Sequence, residues 1–426
     1  MSTNITPQFE AAERFFDAGS GALFVTGRAG TGKSTLLRRL KERGGRSAVV
    51  VAPTGLAAVN AGGQTIHSFF KFAPKLLTPA DIKRSMNAKV IRAIDTLIID
   101  EVSMVRADLM DAIDRSLRLN RDRPRAPFGG VQLMMFGDVC QLSPVVQRDM
   151  YGYFEETYGG VYFFNAPGFR DAGCEVLELD EVFRQKDAGF VAILNAIREG
   201  RAGGAEFDAL NARVTRLEDM PNPAGAVILT PTNQAAIDLN RDALGKLKGP
   251  VVAYEAAVSG QFEESAYPTE KVLHLKTGAK VVMLRNDPKG RWVNGTLAEV
   301  ALAKPREVHI AVNGDVHELE PVTWENLRYG AAEGDAEPGT AVKSEAVGKF
   351  RQFPIRLAWA MTIHKAQGLT LDSVYLDMGR GGFAHGQTYV ALSRCKTLEG
   401  LGLARAIRRS DVIFDRAALR YRELFA

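Results

Sequence analysis

Between Gly27 and Ser34 the chain reads Gly-Arg-Ala-Gly-Thr-Gly-Lys-Ser, the G-x-x-x-x-G-K-[ST] spacing that turns backbone N–H groups toward a phosphate. Gly27, Gly30, Thr31 and Gly32 form the cradle, and Thr35 continues it into the following helix. Lys33 has the reach for β and γ oxygens, and the Ser34 hydroxyl suits Mg²⁺. The apolar run Ala22-Leu-Phe-Val-Thr26 before the loop and Thr35-Leu-Leu-Arg-Arg-Leu40 after it are the strand and helix such a loop needs. The motif predicts a nucleoside triphosphate carried with Mg²⁺.

A second constellation is Leu97-Ile-Ile-Asp100-Glu101, an apolar strand ending in two carboxylates. Neighbouring strand-end residues point differently, so Asp100 is expected to hold Mg²⁺ while Glu101 orients and deprotonates an attacking water. Phe136-Gly-Asp138-Val-Cys-Gln141 also follows an apolar run, and the Gln141 amide can report a γ-phosphate. Arg184 and Arg394 lie outside the phosphate-loop unit. A guanidinium from another domain closes a cleft and stabilises transition-state charge, an effect worth ~10³–10⁵ in rate. Lys33, Glu101, Gln141, Arg184 and Arg394 are therefore the expected catalytic set.

These residues need a scaffold. A chain of 426 residues is long for one core, so two or three domains are expected. With 54 basic and 50 acidic residues the charge is nearly balanced, which leaves room for a locally basic cleft without requiring one. Cys140, Cys174 and Cys395 are unevenly spaced, which excludes a disulfide framework or zinc motif and favours a reducing interior. No apolar run approaches the ~18 residues of a membrane span, and the first residues lack a signal-peptide pattern, so a soluble cytoplasmic protein is expected.

The first 180 residues or so alternate strands at 22–26, 47–52, 96–100, 131–136 and 175–179 with helical stretches, the pattern of a doubly wound parallel sheet. Phe69 to Lys89 interrupts it with a polar-basic segment, expected as a small protruding subdomain in which Phe69, Phe70 and Phe72 pack a core rather than stack bases. A second α/β unit begins near Asp180, with strands expected at 226–230, 280–284, 357–360 and 373–376. From Trp292 to Trp324 the residues alternate, and Asn313-Gly314 predicts a hairpin turn in a small β-barrel. Ala331 to Ala346, small and acidic, is expected as a mobile loop of that barrel. The arginines at 115, 118, 121, 123 and 125 lie among Asp111, Asp114 and Asp122 and are expected as a solvated helix end.

Taken in order, the phosphate loop, Ala52-Pro-Thr-Gly55, Thr65-Ile-His-Ser-Phe69, Ile99-Asp-Glu-Val-Ser-Met104, Gly137-Asp138…Gln141, Phe183-Arg-Gln185, Thr362-Ile-His-Lys-Ala-Gln-Gly-Leu-Thr370 and Tyr389…Ser-Arg394 resemble the superfamily-one, group-B DNA helicases of the petite-integration-frequency (Pif) type. The resemblance runs from Pro7 to about Leu403. It implies two RecA-like domains with ATP between them: a first domain over 1–180 with a wedge insertion at about 69–89, and a second over 181–291 and 355–426, interrupted by a Src-homology-three-like barrel at 292–354. It further implies 5′-to-3′ movement on single-stranded DNA with unwinding of the duplex ahead, by a chain that is mostly monomeric off DNA.

The same resemblance places Gln8 at adenine, Gly368 at the nucleotide, and DNA contacts on Pro53, Thr54, His67, Thr362, His364 and Lys365. Thr230, Asn233 and Asn294 fall in loops that look DNA-facing by the same comparison. His67 and His364 also fit a reading as buried structural histidines. Gln141-Leu-Ser-Pro144 departs from the Gln-Leu-Pro-Pro frequent among relatives, which takes Ser143 out of the expected contacts. The chain carries no long extension, so no nuclease, primase or targeting module is expected. Two other readings stay open: a RecD-like translocase that unwinds only with partners, and an ATP-gated binding switch without directional movement.

Overall fold

The computed structural model describes residues 6–185, 187–331, 341–382 and 384–424. Six strands, β1 (Ala22–Gly27), β2 (Ala48–Ala52), β3 (Gln64–Thr65), β4 (Thr96–Ile99), β5 (Gln132–Phe136) and β6 (Glu175–Leu179), form one sheet in the order β3-β2-β4-β5-β1-β6. Every pairing is parallel. The inner strands β1, β2, β4 and β5 read as largely apolar because both faces are covered, whereas β3 is Gln-Thr and the edge strand β6 exposes two glutamates. Phe24, Val49, Val51, Leu97, Ile99, Leu133 and Met135 point into one core, whereas Leu23, Val25, Val50, Ile98, Met134 and Phe136 point into the other.

The second of these cores is closed by two helices. Pro7–Ala18 starts on a Thr6 cap, whose Oγ1 accepts the Phe9 N–H at 3.2 Å, and ends on Gly19 in the left-handed region. Its Phe9, Ala12 and Phe16 recur at helical spacing and pack against Leu36, Leu37 and Leu40 of Lys33–Arg43. The other face is covered by Ala107–Asn120, nearly all of it buried. The expected solvated helix end holds for Arg115, Arg123 and Arg125, which are exposed, and is corrected for Arg118 and Arg121, which are half-buried. Arg115 and Arg118 pair with buried Asp111 and Asp114, while Arg121 donates to the carbonyls of Ile91, Arg92, Ile94 and Gly129.

The expected protruding subdomain at 69–89 is also corrected. Phe69, Phe70 and Leu77 are buried in the main core, so the segment has no core of its own. The Leu77 N–H donates to buried Asp108 at 3.0 Å and the Ser85 N–H to Asn120 at 2.8 Å, which tie the segment along the helix Ala107–Asn120. Its outer side is solvated along its length at Lys71, Lys75, Lys83 and Arg84, and Met86 is 96% exposed.

The second α/β unit has a four-stranded parallel sheet in the order Ala360–Thr362, Val227–Thr230, Val374–Leu376, Leu401–Leu403. Lys280–Met283, expected in this sheet, pairs antiparallel with Leu297–Lys304 and with Ile355–Leu357 instead. A short buried apolar strand reads alike in a parallel or an antiparallel sheet, so its partner was not written in its own residues. The expected strand 357–360 likewise divides between Ile355–Leu357 of the antiparallel sheet and Ala360–Thr362 of the parallel one.

The antiparallel sheet has five strands, and its hairpin turns at Asn313 and Gly314, both with positive φ (52° and 93°) as a two-residue turn of this hand demands. A second antiparallel sheet contains a long hairpin, Val322–Ala331 with Val342–Gln352. Val342 to Ala346, expected in a mobile loop, are thus strand residues; 332–340 lie outside the described residues. This hairpin reaches the first α/β unit. Tyr329 is buried in its core, edge-on to Phe69 at 6.0 Å, and its hydroxyl accepts the Val50 N–H at 3.1 Å where β2 runs past the two-residue β3.

Candidate nucleotide site and strand-facing rim

Most of the expected site segments leave the carboxyl ends of parallel strands; Gln8 lies on the first helix, Asn294 between two antiparallel strands and Arg394 after the helix Gln387–Leu392. The phosphate loop follows β1, Pro53-Thr54 follows β2, His67 follows β3, Asp100-Glu101 follows β4, Gly137–Gln141 follows β5 and Arg184 follows β6. In the second unit Thr230–Asn233 and Thr362–Lys365 do the same. Such carboxyl edges are where open α/β sheets collect ligands.

Within the loop, Gly30 has φ of +85°, and a Cβ there would stand 2.4 Å from the Arg184 Cβ. A side chain at Gly27 would meet the Leu179 carbonyl at 2.5 Å. Both positions therefore take only glycine, and the cradle stays open for a ligand. Lys33 Nζ donates to its own loop, to Gly27 O at 2.6 Å and Arg28 O at 2.9 Å. Burial in the cleft pulls its ammonium below the usual lysine range, opposed by Asp138 and Glu101. Ser34 is exposed at the start of the helix. Gln8 sits on the first helix with its amide donating to Asp180 at 2.8 Å.

Asp100 and Glu101 are driven apart by the backbone. Glu101 adopts φ 50° and ψ 41°, a left-handed conformation costing a non-glycine residue ~1–2 kcal/mol. The Glu101 N–H donates to Asp100 Oδ1 at 2.9 Å, so the turn is braced. Burial raises both carboxyls above the ordinary range, and for Glu101 the neighbouring Asp100 adds to the effect.

Gln141 is buried and held by Asp138, to which its amide donates at 3.2 Å. Asp138 is gripped in turn by Arg198 of the helix Ala188–Arg198, through Nη2 at 3.0 Å and Nε at 3.3 Å. Burial opposes ionisation of Asp138, yet Arg198 and Lys33 hold its carboxyl below the usual range. Both partners are at most 1% exposed, so removing one would strand a buried charge at a cost of ~3–5 kcal/mol.

The two expected arginines behave differently. Arg394 is buried and, among the described residues, donates only to Val390 O, Leu369 O and Ser393 Oγ; Arg184 donates to Ser393 O and Gly368 O. Arg184 Nε is buried with no partner among the described residues. Burial lowers both guanidiniums, and for Arg394 the proximity of Arg184 adds to it. Two cations with no carboxylate partner among the described residues, beside a glycine cradle, fit the triphosphate and its Mg²⁺. Gly368 stands beside Arg184, whose Nη2 donates to the Gly368 carbonyl at 3.2 Å.

On the rim, Thr54 is exposed and caps the helix Gly55–Ala61, with Pro53 half-buried beside it. His67 is half-buried, and its imidazole is lowered by burial and by Arg106. Asn233, Asn294, His364 and Lys365 are exposed, and burial lowers the His364 imidazole. Thr230 and Thr362 face each other in register, each 3% exposed, so their side chains lie inside the sheet rather than on the rim.

A sequence model of PIF1-like helicases matches residues 7–204. ATP-dependent DNA helicase Pif1 of Bdellovibrio bacteriovorus is 31% identical over 418 residues, spanning 95% of this chain and 88% of the relative. The chain belongs to the PIF1-like helicase family. Mus musculus ATP-dependent DNA helicase PIF1 is 33% identical over 395 residues, 89% of this chain and 57% of the relative; this chain spans less than three fifths of the vertebrate relatives. Bacteroides sp Pif1 in complex with ADP-AlF4 superposes with a TM-score of 0.91 at 34% identity, covering 100% of this chain and 97% of the other. Bacteroides Pif1 bound to ssDNA gives 0.68 at the same identity, with 99% and 97% covered.

Three residues of this PIF1-like helicase fold bear on the site without having been assigned from sequence. Arg198 carries no local signal, since it ends an ordinary amphipathic helix. Tyr389, buried in the second unit, accepts the Ala29 N–H of the phosphate loop at 3.1 Å. Gln367 donates to Glu101 Oε2 at 3.0 Å and to Gln141 Oε1 at 3.4 Å. The last two fall inside quoted motifs, so the motif marked the place but not the role.

Proposed function

We propose that this chain is an ATP-dependent DNA helicase that moves 5′ to 3′ on single-stranded DNA and separates the duplex ahead of it. The carrying observation is the pair formed by half-buried Arg184 and buried Arg394, which have no carboxylate partner among the described residues and stand beside the phosphate loop. Lys33 exchanges its loop carbonyls for phosphate oxygens, and Ser34 and Asp100 hold Mg²⁺, which would polarise the γ-phosphate. Glu101 takes the proton of the attacking water, and Gln141 reads the γ-phosphate. Gln8 orients adenine.

Binding draws the two arginines and the loop together, and loss of the γ-phosphate removes the anion that holds them. Movement then requires that the two units grip a strand differently in the two states. Thr54 and His67 on one unit, and Asn233, Asn294, His364 and Lys365 on the other, are the proposed grips, with Pro53, Thr230 and Thr362 shaping the edges behind them. The names of relatives crystallised with ssDNA and with forked dsDNA support the substrate class. Three buried cysteines at uneven spacing suit a reducing compartment, and we place the chain in the cytoplasm, monomeric off DNA. Among the described residues no helix is long and apolar enough to cross a membrane.

ATP-dependent opening of two matched partial duplexes, one with a 5′ tail and one with a 3′ tail, tests this reading. Opening of the 5′-tailed substrate alone is expected. Opening of neither, with turnover still stimulated by single-stranded DNA, would replace the helicase with a translocase.

A further inference from the structure

Glu101 and Gln141 end two strands of the first sheet, yet the side chain that touches both comes from the other unit. The Gln367 amide nitrogen bonds the carboxylate oxygen Oε2 of the base and the amide oxygen of the γ-phosphate reader. The turn carrying it is braced throughout. The Lys365 N–H donates to Thr362 Oγ1 at 3.2 Å, the Ala366 N–H to Thr362 O at 3.0 Å, the Gln367 N–H to His364 O at 3.1 Å and the Leu369 N–H to Ala366 O at 3.0 Å. Within that block Ala366 is buried while His364 and Lys365 are exposed, so a force on the exposed pair is passed to Gln367 two residues on.

We propose that Gln367 is a positioning residue that holds Glu101 and Gln141 in a resting pose, and that a single strand engaging His364 and Lys365 draws it away. This rests on the function proposed above. The bond occupies an oxygen that would accept the proton of water, and it engages the amide oxygen of Gln141, whose amide nitrogen is already given to Asp138. A strand contact is thereby converted into a free base, and turnover without DNA is held down. Coupling of this kind needs no new contact at the nucleotide; it needs only that the strand-bound state lack the bond.

The test is steady-state ATP turnover of the whole chain with and without oligo(dT), for wild type, Gln367→Ala and Gln367→Asn. The asparagine keeps the amide and is too short to reach Glu101, which guards against loss of folding in the alanine variant. DNA-free kcat is expected to rise about tenfold in both, the worth of one hydrogen bond to a charged group, with KM for ATP little changed and the stimulation by oligo(dT) reduced by the same factor. DNA-free turnover that stays at or below wild type while the stimulated rate falls in parallel would overturn the proposal. A wild type indifferent to oligo(dT) would instead overturn the function on which it rests.

Discussion

At the residue scale, two carboxylates next to one another serve different ends because Glu101 turns into the left-handed region and Asp100 does not. Burial then raises both above the ordinary carboxylate range. The sign of the consequence is fixed: water activation needs ionised Glu101, so kcat falls as pH is lowered, and it begins to fall nearer neutrality than a solvent-exposed glutamate would allow. Glu101→Gln removes the titrating base. It should bind ATP normally, lose ~10²–10⁴ in kcat and flatten that acidic limb, as single-turnover rates across pH would record. A variant with an unchanged limb would mean that another group titrates.

At the element scale, the long hairpin Val322–Ala331 with Val342–Gln352 joins the two halves of the molecule through Tyr329. Tyr329→Phe keeps the ring in the core and leaves the Val50 N–H without its acceptor, a loss of ~1–3 kcal/mol. A lower urea midpoint at unchanged m-value is the expected record. Much of the fold was legible where local rules suffice. The strands before the phosphate loop and before Asp100 show as apolar runs, and Asn313-Gly314 names its own turn. What stayed hidden depends on partners distant in sequence. Lys280–Met283 does not reveal which sheet it joins, and Tyr329 is one aromatic residue among many until the edge it meets is known. In the site, charged residues and glycines announced themselves through their motifs. Gln367, uncharged, and Arg198, at the end of an amphipathic helix, did not.

At the scale of the molecule, two parallel sheets turn their carboxyl edges to one cleft, and the groups proposed to grip DNA, Asn294 apart, stand on the same edges as the phosphate loop and the strand-end carboxylates. With 54 basic against 50 acidic residues, attraction to the strand must come from the rim rather than from the whole charge. The affinity for single-stranded DNA should therefore fall with salt at a log–log slope of about −0.7 for each phosphate held, and a flat titration would deny an ionic grip. Tyr329 bears finally on how the chain is made. The first sheet is complete once Leu179 has been synthesised, but the residue that covers the Val50 N–H comes roughly 150 residues later, about 8–30 s at ~5–20 residues per second. For that interval the nascent first domain presents an open strand edge, and a growing chain is then most exposed to pairing with the wrong neighbour.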